Sequence, residues 1–337
     1  MNHSINFFRI LFTLVIALFH YPSLSKGYLN SGWIVVEFFF ILSGYYLYNT
    51  CVNKNLSTVQ YMQKRIDKFW FKTILIGLLL NVIEYEKIID SSFTDNIKHF
   101  AKELLLLNEV IPFNDSISTI NISVWYVCVL IYASALIYAI LKYLPQYHKP
   151  ILIIICFCTY LYLFNSQEPN IQFAIYPYSL ARGILSISIG CILNIFINNY
   201  HNAISLKLKN ALSIISFIII IYSLPYNNIF GFVPIVCFIF IIIACMDKRA
   251  LLYKILDRPI FSKLSPYCFE IFIIHWMVIK IPYHIMAMLF GKTSNFAPLE
   301  KITGIFIYFT ILFISAYIYS KVCNNVQNKI KQLINEK

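Results

Sequence analysis

Residues 5–21, INFFRILFTLVIALFHY, and residues 33–48, WIVVEFFFILSGYYLY, are two apolar runs close to the length a helix needs to cross lipid. The first carries Arg9 and His20, the second Glu37. An ionisable side chain inside such a run is costly in hydrocarbon, so these three are functional candidates from the outset. The eleven-residue step from Arg9 to His20 is close to three helical turns, which puts both on one face about 16 Å apart.

The remainder of the chain reads the same way. Of 337 residues 59% are hydrophobic and 12% charged, and the mean hydropathy is +0.70, whereas soluble domains carry about 25% charged residues. Apolar runs near 5–22, 33–50, 69–84, 122–141, 150–166, 178–197, 211–225, 230–246, 266–290 and 301–320 predict an all-α, polytopic transmembrane helix bundle of about ten spans. Most of the 27 Lys and Arg fall in segments on the side of the N-terminus, so both termini are expected in the cytoplasm. One membrane domain fills residues 1–337 in this reading, with an outer-side loop at about 85–121 holding an amphipathic interfacial helix from Ile97 to Leu107.

Several function classes fall away. The net charge of +12 sits between spans rather than on a soluble basic face, so the lipid bilayer is the expected partner and nucleic acid is not. The nine cysteines form no CxxC and have no paired histidines nearby, so no metal site is expected. The first run lacks a small-residue cleavage site and reads as a retained span rather than a cleaved signal. No pair of Gly/Pro-broken spans in inverted repeat marks a transporter, which weakens that reading but keeps it among the alternatives.

The second span runs back antiparallel to the first and brings Glu37 near the level of His20. A histidine beside a carboxylate is a general-base arrangement, because the carboxylate orients one ring nitrogen and raises the basicity of the other. The same pair is equally an interhelical structural contact, and Arg9 is equally a side chain snorkelling to the interface.

Four landmarks now fall in order. Arg9 and His20 form a basic-x10-His pair; Glu37 leads into Phe38, Phe39, Phe40, Ile41, Leu42, Ser43 and Gly44; Arg65 and Lys68 begin the third span; Ser265 precedes the run from Cys268 through Glu270 to His275. In these features the sequence resembles the acyltransferase 3 family of bacterial integral-membrane acyltransferases, many of which O-acetylate cell-surface polysaccharides. The family has Arg-x-x-Arg where this chain has Arg65 and Lys68, and a lysine lacks the bidentate phosphate grip of the second arginine.

The resemblance implies an enzyme of the bacterial cytoplasmic (inner) membrane that moves an acyl group, most simply acetyl from acetyl-CoA, to a hydroxyl of a surface polysaccharide or its lipid-linked precursor. It implies catalytic roles for His20 and Glu37, with His275 beside them, and CoA binding by Arg9, Arg65, Lys68 and the neighbouring Lys64. Trp125, Tyr126 and Arg182 are the expected acceptor contacts at the outer end, suited to stacking on and hydrogen-bonding a sugar; an interfacial aromatic belt accounts for the two aromatics as well. A homo-oligomer is left open. A polysaccharide polymerase or flippase is the alternative class, but the Arg9/His20 pair has no purpose in it.

Overall fold

A computed structural model of the chain describes residues 2–83, 101–107, 110, 123–165, 177–200, 203–226 and 232–335. Among these residues the regular elements are helices and no strand occurs, so the fold is an all-α bundle. In a lipid setting this follows from the backbone: each helix satisfies its own N–H and C=O groups where water is absent.

Among the described residues eleven principal helices build it: α1 (His3–Phe19), α2 (Val36–Asn53), α3 (Thr58–Ile83), α4 (Val124–Tyr143), α5 (His148–Asn165), α6 (Tyr178–Tyr200), α7 (Leu206–Ser223), α8 (Phe232–Met246), α9 (Cys268–Val278), α10 (Lys280–Phe290) and α11 (Pro298–Asn335). Six stretches of the described residues are long and apolar enough to span a membrane: Gly32–Asn53, Val124–Tyr143, His148–Asn165, Tyr178–Tyr200, Leu206–Ser223 and Pro298–Ile330. The bent pair Pro259–Val278 and Lys280–Phe290 makes a seventh if it is one span, and His3–Phe19 and Val233–Met246 are shorter apolar helices. The run expected as a third span is the second half of α3, whose first half is a charged helix continuous with it. Of the loop expected at about 85–121, only residues 101–107 and 110 are described; the carbonyls of Leu104 and Leu105 accept from Trp70 Nε1 on α3 at 2.6 Å and Tyr132 OH on α4 at 3.0 Å.

Local sequence sets the helix ends that matter for the site. The Asn2 side chain caps α1 by accepting from the Ile5 N–H at 3.0 Å. At the other end Pro22 disfavours helical geometry at Tyr21, so α1 stops and leaves His20 as its C-cap. The run expected as one span at 266–290 bends by 54° between α9 and α10. Pro282 is the cause: it has no N–H, and its ring clashes with the carbonyl four residues back, at Val278, where α9 ends.

At one helix crossing α2 and α6 meet backbone to backbone. A Cβ on Gly44 would lie 2.0 Å from the Ile187 carbonyl oxygen, and one on Gly190 would lie 2.0 Å from that of Ile41. Small residues on both sides let the two backbones touch, as in other membrane helix pairs. Asn194 Nδ2 then donates to the Tyr45 carbonyl at 2.9 Å. Gly44→Val and Gly190→Val should each lower the unfolding temperature of the detergent-purified protein, by an overpacking cost of about 1–3 kcal/mol; midpoints equal to wild type would show that the crossing is not this tight.

Candidate active site

Four cations expected or flanked in the sequence converge at one end of the bundle. A cavity of about 450 Å³ has Arg9 of α1, Arg65, Lys68 and Lys72 of α3, and Glu270 of α9 in its wall. Arg65 is held from two sides. Its Nε donates to Tyr61 OH at 2.9 Å and its Nη2 to Ser43 Oγ at 3.0 Å, and the Tyr61 ring stacks on Tyr138 of α4 at 4.2 Å. Ser43 of the Phe-rich motif therefore positions an arginine, beside the glycine that packs the helix. Arg9 donates to Asn6 Oδ1 at 3.2 Å. Lys64 does not join them: it is exposed and not part of the cavity wall.

Lys72 and Glu270 form an ion pair, and the carbonyl of Lys72 accepts from Tyr319 OH of α11. Glu270 is 2% exposed, and its Oε2 has no hydrogen-bond partner among the described residues. Glu270 is an acid in an apolar run and Lys72 lies one helical turn beyond Lys68, but nothing in the sequence pairs them.

Away from the cations the cavity becomes apolar, walled by Thr13, Ile16, Val36, Phe39, Tyr126 and Phe272. Seven residues of α1 separate Arg9 from Ile16, about 10 Å along the axis. Tyr126 packs on Phe40 with ring centroids 4.7 Å apart and on Phe272 at 5.1 Å. It is a cavity wall inside the bundle rather than part of an interfacial belt.

One helical turn beyond Ile16 and Phe272 lie His20 and His275, with ring centroids 5.0 Å apart and planes tilted by 33°. Trp276 meets His20 edge-on at 5.8 Å. His275 Nδ1 lies 2.6 Å from the Phe272 carbonyl oxygen. A carbonyl only accepts, so Nδ1 carries the proton and Nε2 is left as an acceptor. That Nε2 is buried without a partner among the described residues.

The expected pairing of Glu37 with His20 is not what forms. Glu37 Oε1 accepts from Arg182 Nε at 2.7 Å and its Oε2 from Ser186 Oγ at 2.5 Å. The guanidinium also lies over the rings of Trp33 and Trp125, 5.0 and 5.1 Å from their centroids. Arg182 is 1% exposed and Glu37 2%, so Arg182 does not snorkel to a headgroup layer and Trp125 is an interior residue. The physical reason is the Gly44/Gly190 crossing, which faces the Glu37 side of α2 to α6 instead of α1, and a buried arginine needs a carboxylate more than a neutral imidazole does.

Removing either member leaves the other charge buried alone. Glu37→Ala and Arg182→Ala should each cost about 3–5 kcal/mol, and in a double-mutant cycle the pair should lose much less than the sum of the singles. Strictly additive losses would show that the two charges do not interact.

One comparison with known proteins bears on the resemblance seen in the sequence. Residues 2–321 match the acyltransferase 3 family, described as an acyltransferase domain. No curated protein and no solved structure matches the chain. A match over nearly the whole length settles the membership: the chain belongs to the acyltransferase 3 family and is a membrane acyltransferase.

Proposed function

We propose that the protein is a membrane O-acyltransferase of the bacterial cytoplasmic membrane, most simply an O-acetyltransferase, which takes its acyl group from acyl-CoA and passes it to a hydroxyl of a cell-surface polysaccharide or its lipid-linked precursor. The observation that carries this reading is the single cavity that begins among Arg9, Arg65 and Lys68 and runs, between apolar walls, to within one turn of two facing histidines.

The chemistry of a CoA thioester matches that gradient. Its phosphates are anionic and suit charge-assisted hydrogen bonds from arginine and lysine, and its pantetheine arm is long and mostly uncharged. With the nucleotide at Arg9, Arg65 and Lys68, the arm lies along Thr13, Phe39 and Phe272, and the thioester points towards His20. Both termini are then cytoplasmic, and the acceptor approaches from the opposite end of the bundle.

His20 is the general base. It takes the proton of the acceptor hydroxyl as that oxygen attacks the thioester carbonyl carbon. The tetrahedral intermediate collapses by breaking the C–S bond, and the leaving CoA thiolate takes the proton back from the imidazolium. His275, its tautomer fixed by the Phe272 carbonyl, stands where Glu37 was expected and presents an acceptor nitrogen to this reaction zone. Glu37 and Arg182 act on catalysis through the position of α2 and α6. Trp125 is tied to that pair, and Tyr126 walls the arm; contact of either aromatic or of Arg182 with the acceptor is the further expectation of this reading.

The test is acyl transfer from labelled acetyl-CoA in membranes holding the purified protein and its host polysaccharide. His20→Ala should reduce transfer by at least about 100-fold while the unfolding temperature stays near wild type. Retained transfer would sink the general-base assignment. Arg65→Ala should raise the KM for acetyl-CoA several-fold, whereas Lys64→Ala should leave it unchanged; an equal effect of the two would mean that the cavity is not the donor site.

A further inference from the structure

Helices α5, α6 and α8 line a second cavity, of about 610 Å³, with walls that are almost wholly carbon. Along α6 it extends from Leu185 to Phe196, eleven residues or about 16 Å. That is half of the roughly 30 Å hydrocarbon core of a bilayer, the depth of one leaflet. Its rim on α5 carries Ile153 and Phe157, 59% and 63% exposed, so the slot is open sideways to lipid.

At its Phe196 end this slot adjoins a third cavity, of about 360 Å³, and Phe196, Ile204 and Ile243 belong to the walls of both. The third cavity is charged, with Lys209, Asp247, Lys248 and Arg249 in its wall. Asp247 accepts from Lys209 Nζ at 2.8 Å and from Arg249 Nε and Nη2 at 3.1 and 3.0 Å. Hydrogen bonds from Arg249 first, and from Lys209 after it, hold the Asp247 carboxyl well below the usual carboxylate range against the opposing effect of burial. It therefore stays ionised at neutral pH, and among the described residues the wall of this cavity carries three cations and one anion.

A leaflet-deep apolar slot that ends at surplus positive charge is complementary to a molecule with a hydrocarbon chain and an anionic head. We infer that the joined groove binds one anionic phospholipid, with its phosphate against Lys248 and Arg249 and one acyl chain lying along α6. Basic pockets between membrane helices bind phosphate headgroups in this manner. The lipid lies on a stripe of α6 formed by Leu185, Ile189 and Phe196, next to the stripe of Arg182, Ser186 and Gly190 that packs on α2. A bound chain thus covers the flank of the helix that carries the buried ion pair. The inference does not depend on the acyl-transfer reading.

The experiment uses the full chain in neutral detergent, with native mass spectrometry and thermal unfolding as readouts. Added phosphatidylglycerol should give a one-to-one adduct and raise the unfolding temperature by about 5 °C at a hundredfold excess over its Kd. Phosphatidylcholine, with no net charge, should give neither at the same concentration. Lys248→Gln, at an exposed position, should weaken phosphatidylglycerol binding several-fold without moving the lipid-free unfolding temperature, and Leu193→Trp should block the slot. Equal binding of the two phospholipids, wild-type binding by Lys248→Gln, an equal shift with inorganic phosphate alone, or displacement of phosphatidylglycerol by an equimolar polyprenyl phosphate would each overturn the assignment.

Discussion

The ion pair between Arg182 and Glu37 is the interaction on which the rest of the bundle depends. Two opposite charges, each almost fully enclosed, lie where helices otherwise meet through hydrocarbon. Such a pair does not make a protein more stable than a well-packed apolar substitute, because desolvation offsets the attraction. What it does is fix register. The guanidinium has one seat, between Trp33, Trp125 and the carboxylate, with Ser186 completing the second carboxylate oxygen. One turn up or down leaves a charge unmatched, so α2, α4 and α6 are held at one relative height.

That height sets the active-site cavity. α2 presents Glu37 to α6 near its start and, about two turns on, Ser43 to Arg65 and Gly44 to Gly190. The Phe-rich motif is thus a coupling element: its acid docks one neighbour, its glycine packs the same neighbour, and its serine aims the cation of another. The cavity between α1, α2, α3 and α9 inherits a charged end and an apolar end because the basic half of α3 continues into its apolar half as one helix.

The two histidines arrive by a different route. Pro22 terminates α1 beside His20, and Pro282 breaks the later run just beyond His275. Each proline stops regular structure close to the residue that faces the other helix. Both rings therefore stand at helix ends, where backbone and side chain are less constrained by the next turn than in a span that continues.

Much of this was legible from the chain alone. Apolar length decides that the elements are helices in lipid, because no other open structure satisfies its backbone there; the Arg9–His20 spacing, with the family resemblance at Arg65 and Lys68, pointed to the two ends of the cavity. The sequence could not say which partner each charge takes. Glu37 was equally compatible with His20 and Arg182, and Lys64 with the donor site, because helical periodicity gives the height and face of a side chain on its own helix but not which helix stands opposite. That choice falls to tertiary packing: the Gly44/Gly190 contact rotates α2 towards α6, and the desolvation of Arg182 draws the carboxylate to it, leaving His20 to face His275.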